Sequence, residues 1–165
     1  MQSPEFNQPR WISTSILVSA GFVIFALVLS AVFQPSIRLL HTFQALIYVA
    51  VTIFSFRNSP WGFGAGCLIS AFWNYIFIRA APAELWEFFA GRLFRADLAL
   101  QEAVLGAHCL LIIACLAGSV RLRPGAKGWV EFVAGGVLAI GYLVLIIVTM
   151  GPEYMQPTLK RAFGL

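Results

Sequence analysis

The sequence predicts an all-α polytopic membrane bundle of five transmembrane helices, with one short interfacial amphipathic helix between the third and the fourth. The chain is 60% hydrophobic and 11% charged, with a mean hydropathy of +0.85, whereas soluble domains are about a quarter charged. Five stretches without Asp, Glu, Lys or Arg reach, or nearly reach, the roughly 20 residues that a spanning helix needs. Lipid offers the backbone no hydrogen-bond partner, so these stretches must be helical.

Proline and glycine mark the turns between the spans. Pro35 ends the first span, because proline cannot continue the hydrogen-bond ladder. Pro124 and Gly125 separate the fourth span from the fifth, and Gly151 with Pro152 ends the last one. The tail beyond is short and weakly basic, and we expect it to be frayed. We predict one integral membrane domain over residues 1–165, with spans at about residues 11–33, 38–56, 60–79, 98–120 and 128–150.

The connection between the third and fourth spans has an amphipathic pattern. Residues 83–96 (AELWEFFAGRLFRA) place large apolar side chains at mostly helical intervals beside two glutamates and two arginines. A helix of this kind lies in the headgroup plane, whereas a solvent loop would expose the aromatic side chains to water. We therefore predict a short interfacial helix at about residues 83–96.

The charges of the loops favour one orientation in the membrane. We call the side of the N-terminus side A and the opposite side side B. Basic residues are divided almost evenly between them, but the densest short loop, Arg121 to Lys127, lies on side A. Short loops carry most of the positive-inside signal. The sequence thus favours a cytoplasmic N-terminus and a C-terminus on the opposite side.

Polar residues follow one face of the second span. His41, Gln44, Tyr48, Thr52 and Ser55 are spaced by three or four residues, which keeps them on one side of a helix. Lipid cannot satisfy their hydrogen bonds, so this face must meet protein or water.

The other spans carry matching lines of small and polar residues. In the third span, Gly62, Gly66, Ser70 and Asn74 recur every four residues, a spacing that lets a neighbouring backbone approach closely. In the fourth span, heptad spacing aligns Gln101, His108 and Cys115, and the fifth span aligns Glu131, Gly135, Tyr142 and Thr149 on one face.

Depth brings several of these groups together near side B. The only two histidines of the chain lie a few residues inside the side-B ends of the second and fourth spans, which places them in one layer. We predict a ligand site in this layer, with charged residues around its mouth. Its members are His41, Gln44, Tyr48, Asn74, Gln101 and His108, with Arg38, Arg79 and Glu102 at the mouth.

Three interpretations of this layer stay open, and the cofactor with them. His41 and His108 could hold the iron of haem b, with arginines for the propionates. The same layer could instead form a pocket for a lipid, a quinone or another small organic ligand. In the third interpretation these groups only hold the helices together, at about 0.6 to 2 kcal/mol for each hydrogen bond.

Motifs and charge bear on the class of function. The chain has no Gly-x-Ser-x-Gly elbow, His-Glu-x-x-His helix or phosphate loop, which favours a non-enzymatic role without deciding it. Its three cysteines lack the Cys-x-x-Cys spacing of zinc sites. The net charge is +4, and no cluster of Lys and Arg exceeds three residues. This favours contact with lipid headgroups over binding of nucleic acid.

These observations lead to one expectation and two alternatives. We expect a small non-enzymatic integral membrane protein that serves as an accessory or structural subunit of a larger membrane complex. The first alternative is a haem b- or quinone-binding redox subunit with its site between spans two and four, and the second is a small-molecule carrier. The expected partners are membrane lipids together with other membrane subunits or further copies of the same chain.

Overall fold

The protein is helical throughout the part of the chain that its computed structural model describes, residues 8–80, 87, 90–91, 96–122, 125–150 and 152–164, apart from short turns. The helices are α1 (Arg10–Phe33), α2 (Arg38–Phe56), α3 (Pro60–Ala80), α4 (Ala96–Leu122), α5 (Ala126–Met150) and α6 (Pro152–Phe163). A single 3₁₀ turn, Pro35–Ile37, leads from α1 into α2.

Helices α1 to α5 are each long and apolar enough to cross a membrane, which confirms the predicted all-α class with five spans. Their ends lie close to the predicted ones, because uncharged runs and prolines set the length of a spanning helix. The predicted interfacial helix, residues 83–96, falls largely outside the described residues.

Four of the helices form a bundle, and α5 lies on its outside. Helix α1 packs against α2 and α4, and α3 packs against the same two helices on the other side. Helices α2 and α4 therefore occupy diagonally opposite corners. Helix α5 packs along α3 and touches α2. The bundle axis thus runs between α2 and α4, the two helices that carry the histidines.

Glycines let α3 approach its neighbours closely. A Cβ at Gly62 would lie 2.5 Å from the Ser55 backbone nitrogen of α2, and one at Gly66 would lie 2.6 Å from the Cys115 Sγ of α4. The closest approach is at Gly64, where a Cβ would overlap the Phe132 carbonyl of α5. Small residues allow this backbone contact inside a membrane, where no hydrophobic effect drives helices together. Helix α3 is thereby the centre of the packing.

The tail beyond the last span forms a helix, so the expectation of a frayed end was wrong. Pro152 opens α6, at a position where its missing N–H would be unpaired in any case. The carbonyl of the fully buried Ala162 accepts hydrogen bonds from Tyr75 Oη at 3.4 Å and Arg79 Nε at 3.5 Å. The Phe163 ring contacts Tyr75 with 5.6 Å between centroids. The polar composition of the tail concealed the apolar face that packs on α3.

Candidate functional site

A cavity of about 540 Å³ lies in the side-B half of the four-helix bundle, and we call it the side-B cavity. Its size is within the range of about 300–1,000 Å³ that is typical of ligand pockets. Helices α1, α2, α3 and α4 form its walls, and Thr158 of α6 reaches it as well. Five of the residues predicted for the site line this cavity: His41, Gln44, Tyr48, Gln101 and His108.

A buried hydrogen bond crosses the bundle at this cavity. Tyr48 Oη lies 2.8 Å from His108 Nε2, and the two side chains are only 1% and 2% exposed. The bond joins α2 to α4, the diagonal pair of helices that have few backbone contacts of their own. A phenol and a neutral imidazole can form this bond without a charge in the membrane interior.

One buried nitrogen of each imidazole has no partner among the described residues. Nδ1 of His41 and Nδ1 of His108 are buried, and neither has a hydrogen bond to any described residue. A buried nitrogen that stays unpaired costs about 1–3 kcal/mol. Both side chains line the side-B cavity. Each Nδ1 has almost no accessible surface, so a molecule in the cavity reaches it only after the imidazole changes its orientation.

The charged residues predicted for the mouth do not belong to the wall. Arg38 Nε donates to the Ala31 carbonyl at 3.2 Å, and this arginine lines a neighbouring cavity of about 220 Å³ together with His41. Arg79 is bonded to α6, and Glu102 is exposed. Among the described residues, the wall of the side-B cavity contains only uncharged side chains.

Asn74 is the predicted inner residue that the structure places elsewhere. Its Nδ2 donates to Cys109 Sγ at 3.3 Å, so it forms a contact between α3 and α4 outside the side-B cavity. The neighbouring residues Trp73 and Phe77, four positions apart on α3, line the cavity instead. The regular glycine spacing of α3 marks the face that packs on other helices, and the cavity faces the aromatic side chains next to it.

Sequence reasoning missed Trp73, Phe77 and Thr158 as lining residues. For the two aromatic residues a signal was present, since residues four apart share a helix face. Thr158 could have been found only by recognising that the tail forms a helix that folds back onto α3.

Haem b does not fit the two histidines well. An axial imidazole ligand needs a free nitrogen lone pair that points at the iron. Tyr48 engages Nε2 of His108 at 2.8 Å, which leaves the buried Nδ1 of this ring for such a bond. The arginines proposed for the propionates, Arg38 and Arg79, are bonded to backbone carbonyls away from the cavity. The arrangement instead suits a ligand that is recognised by hydrogen bonds.

A larger cavity of about 620 Å³, the side-A cavity, lies between α2, α3 and α5 in the other half of the molecule. Small and apolar residues form most of its wall, including Gly62, Ala65 and Ala139, and Tyr142 is half-buried beside them. A cavity of this composition offers little beyond apolar contact. The side-B cavity has the hydrogen-bonding groups and is therefore the candidate site.

The five apolar helices define the chain as a multi-pass α-helical membrane protein. Its particular feature is a half-open cavity between α2 and α4, whose wall, over the described residues, has hydrogen-bonding groups but no charged side chain. Comparison of the chain with protein-family models, with curated proteins and with solved structures finds no match.

Proposed function

We propose that the protein is a small non-enzymatic membrane subunit that binds an uncharged organic ligand in the side-B cavity. The observation that carries the proposal is the convergence of two imidazoles, three amides and a phenol on one cavity whose remaining wall is largely apolar and aromatic. Ligand pockets have this composition, with a few placed polar groups that orient the ligand in an apolar enclosure.

The two histidines add a second argument. His41 and His108 are the ionisable side chains predicted for the inner layer that line the side-B cavity together with Tyr48. Ionisable residues inside a membrane are costly, and they are commonly retained for function. A ligand that bonds to these groups would account for both histidines.

Native mass spectrometry of protein extracted from its own membranes tests the proposal. We expect a bound small molecule that is neither phospholipid nor detergent. It should be lost or strongly reduced in Tyr48→Phe, which removes the bond to His108, and retained in Tyr142→Phe, the matched change in the side-A cavity. A wild-type protein that carries only phospholipid, in the same amount as both variants, would overturn the proposal.

The role as a subunit rests on the outer surface. Helices α1 and α5 carry many exposed apolar side chains, among them Phe25 at 57%, Val137 at 59% and Val148 at 65% exposure. Lipid covers such a surface, and so can another membrane helix. We propose that other membrane subunits or further copies of the chain pack there. Cross-linking in native membranes checks this, and a product of monomer size alone would contradict it.

We further propose that the N-terminus is cytoplasmic and that α6 lies on the opposite side. An odd number of spans places the two ends on different sides, and the basic loop near Lys127 favours the cytoplasm for side A. Labelling of Ser3→Cys and Gln156→Cys with a membrane-impermeant maleimide, in a background without the native cysteines, tests both parts. Equal labelling from one side would contradict the five-span topology.

We also propose that residues 83–96 form an interfacial helix, because their sequence is amphipathic. Gly91 has a left-handed φ of 68°, a conformation that commonly ends a helix. We therefore propose an interruption at Gly91. Spin labels along the segment should show a helical period of accessibility up to that residue, and uniform exposure to water would contradict the helix.

A further inference from the structure

The aromatic side of the cavity indicates the shape of the ligand. The centroid of the His108 ring lies 5.8 Å from that of Tyr48 and 6.3 Å from that of Phe77, with an interplanar angle of 29° in both cases. The Trp73 ring extends this aromatic layer, with its centroid 5.8 Å from that of Phe77. Flat rings in offset stacks favour another flat ring beside them. The cavity is therefore shaped for a planar group.

The charge of the wall indicates the charge of the ligand. Among the described residues, no Asp, Glu, Lys or Arg side chain lines the cavity. An ion held there would lose its hydration without gaining a partner of opposite charge, and burial of such an unpaired ion is strongly unfavourable. Phosphates, carboxylates and ammonium ions are thus poor candidates, and a neutral molecule is favoured.

The placement of the amides indicates the polar groups of the ligand. Gln44 lies on α2 and Gln101 on α4, at opposite corners of the bundle, and both line the cavity. Each amide offers two N–H donors. A planar ring with an acceptor at each of two opposite edges can bond to both helices at once. The α1 side of the cavity, with Val23, Ala26 and Leu27, offers apolar contact for a substituent.

These three features have one common solution, and it rests on the proposed function. We infer that the side-B cavity binds the ring of a neutral quinone-type lipid, with its two carbonyl oxygens accepting hydrogen bonds from the Gln44 and Gln101 amides. The ring lies beside the aromatic layer that His108 and Phe77 form. Its apolar substituent follows the α1 wall.

Titration of the detergent-purified protein with decylubiquinone tests this inference. Quenching of tryptophan fluorescence should saturate, because Trp73 stands in the wall. Gln44→Leu and Gln101→Leu should each weaken binding by about three- to tenfold, the usual worth of one hydrogen bond between neutral groups. Loss of both amides should abolish saturation. Tyr142→Phe, in the side-A cavity, should bind as wild type does.

Two comparisons make the outcome decisive. A decyl-substituted dimethoxybenzene has a similar ring and tail but lacks the carbonyl oxygens, so it should bind at least about tenfold more weakly. Gln44→Asn and Gln101→Asn keep a polar amide and guard against variants that merely fail to fold. Equal binding of the two probes, or wild-type affinity in the leucine variants, would overturn the quinone assignment.

The proposed function can survive that failure and be recognised separately. If mass spectrometry finds a different neutral molecule that Tyr48→Phe removes, the cavity is a ligand site and only the quinone assignment is overturned. If neither decylubiquinone nor any native small molecule binds, both the assignment and the proposed function are overturned.

Discussion

The side-A and side-B halves of the molecule share α2 and α3, but these helices pack differently in each half. In the side-A half, Gly62 and Gly64 bring the backbone of α3 against α2 and α5. In the side-B half, the same helix presents Trp73 and Phe77 to the cavity, and the Tyr48–His108 bond joins α2 to α4. Glycines bring helix backbones together on side A, and aromatic residues line the cavity on side B. The hydrogen-bonding side chains are concentrated on side B, and this distinguishes its cavity from the larger apolar cavity on side A.

The largest loss of stability is expected in the side-A half, where glycines bring α3 against its neighbours. In Gly64→Leu the new side chain would overlap the Phe132 carbonyl, a backbone group that cannot move aside. Overpacking costs about 1–3 kcal/mol where side chains can adjust, and we expect more than that here. The melting temperature in detergent measures it. Gly141→Leu on α5 is the matched control, because no atom lies within 4 Å of a Cβ at that site. Equal stability of both variants would show that α3 and α5 do not pack as described.

The second prediction concerns the Tyr48–His108 hydrogen bond in the side-B half. His108→Phe leaves the buried Tyr48 hydroxyl without its partner, at a cost of about 1–3 kcal/mol. The double change Tyr48→Phe with His108→Phe removes both polar groups. It should therefore be destabilised by less than the sum of the single changes. Thermal unfolding of the four proteins gives the coupling energy, and strict additivity would mean that the bond contributes nothing to stability.

A smaller effect is expected at α6. Phe163→Ala removes the ring contact with Tyr75, which is worth about 0.5–1.5 kcal/mol beyond area burial. Because α6 is held by few contacts, its amide protons should exchange faster while those of α1 to α5 stay protected. Lys160→Ala, at an exposed position of the same helix, should leave exchange unchanged. Faster amide exchange in every helix would mean that α6 unfolds together with α1 to α5 and not separately.

The smallest effect is expected at the surface of side A. Lys127 Nζ lies 4.0 Å from Glu131 Oε1, and the lysine side chain is 92% exposed. Water and salt screen such a pair. Glu131→Ala should leave the melting temperature unchanged within error at both low and high salt. A clear loss at low salt would assign this pair a role in the packing of α5.

The spans could be predicted because the bilayer imposes them. Each of the five uncharged runs, one before Pro35 and four between Pro35 and Pro152, is about long enough to cross a bilayer, and a helix satisfies its backbone there. The inward face of α2 could also be predicted, because lipid cannot satisfy the hydrogen bonds of its polar stripe. Which neighbour each face meets depends on backbone contacts such as that of Gly64 with Phe132, which periodicity does not encode. Asn74 was for this reason assigned to the cavity when it bonds to Cys109.

Helix α6 was missed for a different reason. Its apolar face is short and becomes visible only once the side-B end of α3 is present to receive Ala162 and Phe163. Tertiary contact stabilises this helix more than its own propensity does, as is usual for short helices.

The central claim is that the side-B cavity is a binding site and the side-A cavity is not. Two matched substitutions test it directly, because Ala26 lines the first at 7% exposure and Ala139 lines the second at 8%. Phenylalanine at either position fills part of its cavity. Native mass spectrometry of the two variants should show that Ala26→Phe loses the bound small molecule and that Ala139→Phe retains it. Retention in Ala26→Phe with loss in Ala139→Phe, or the same occupancy in both, would contradict the account.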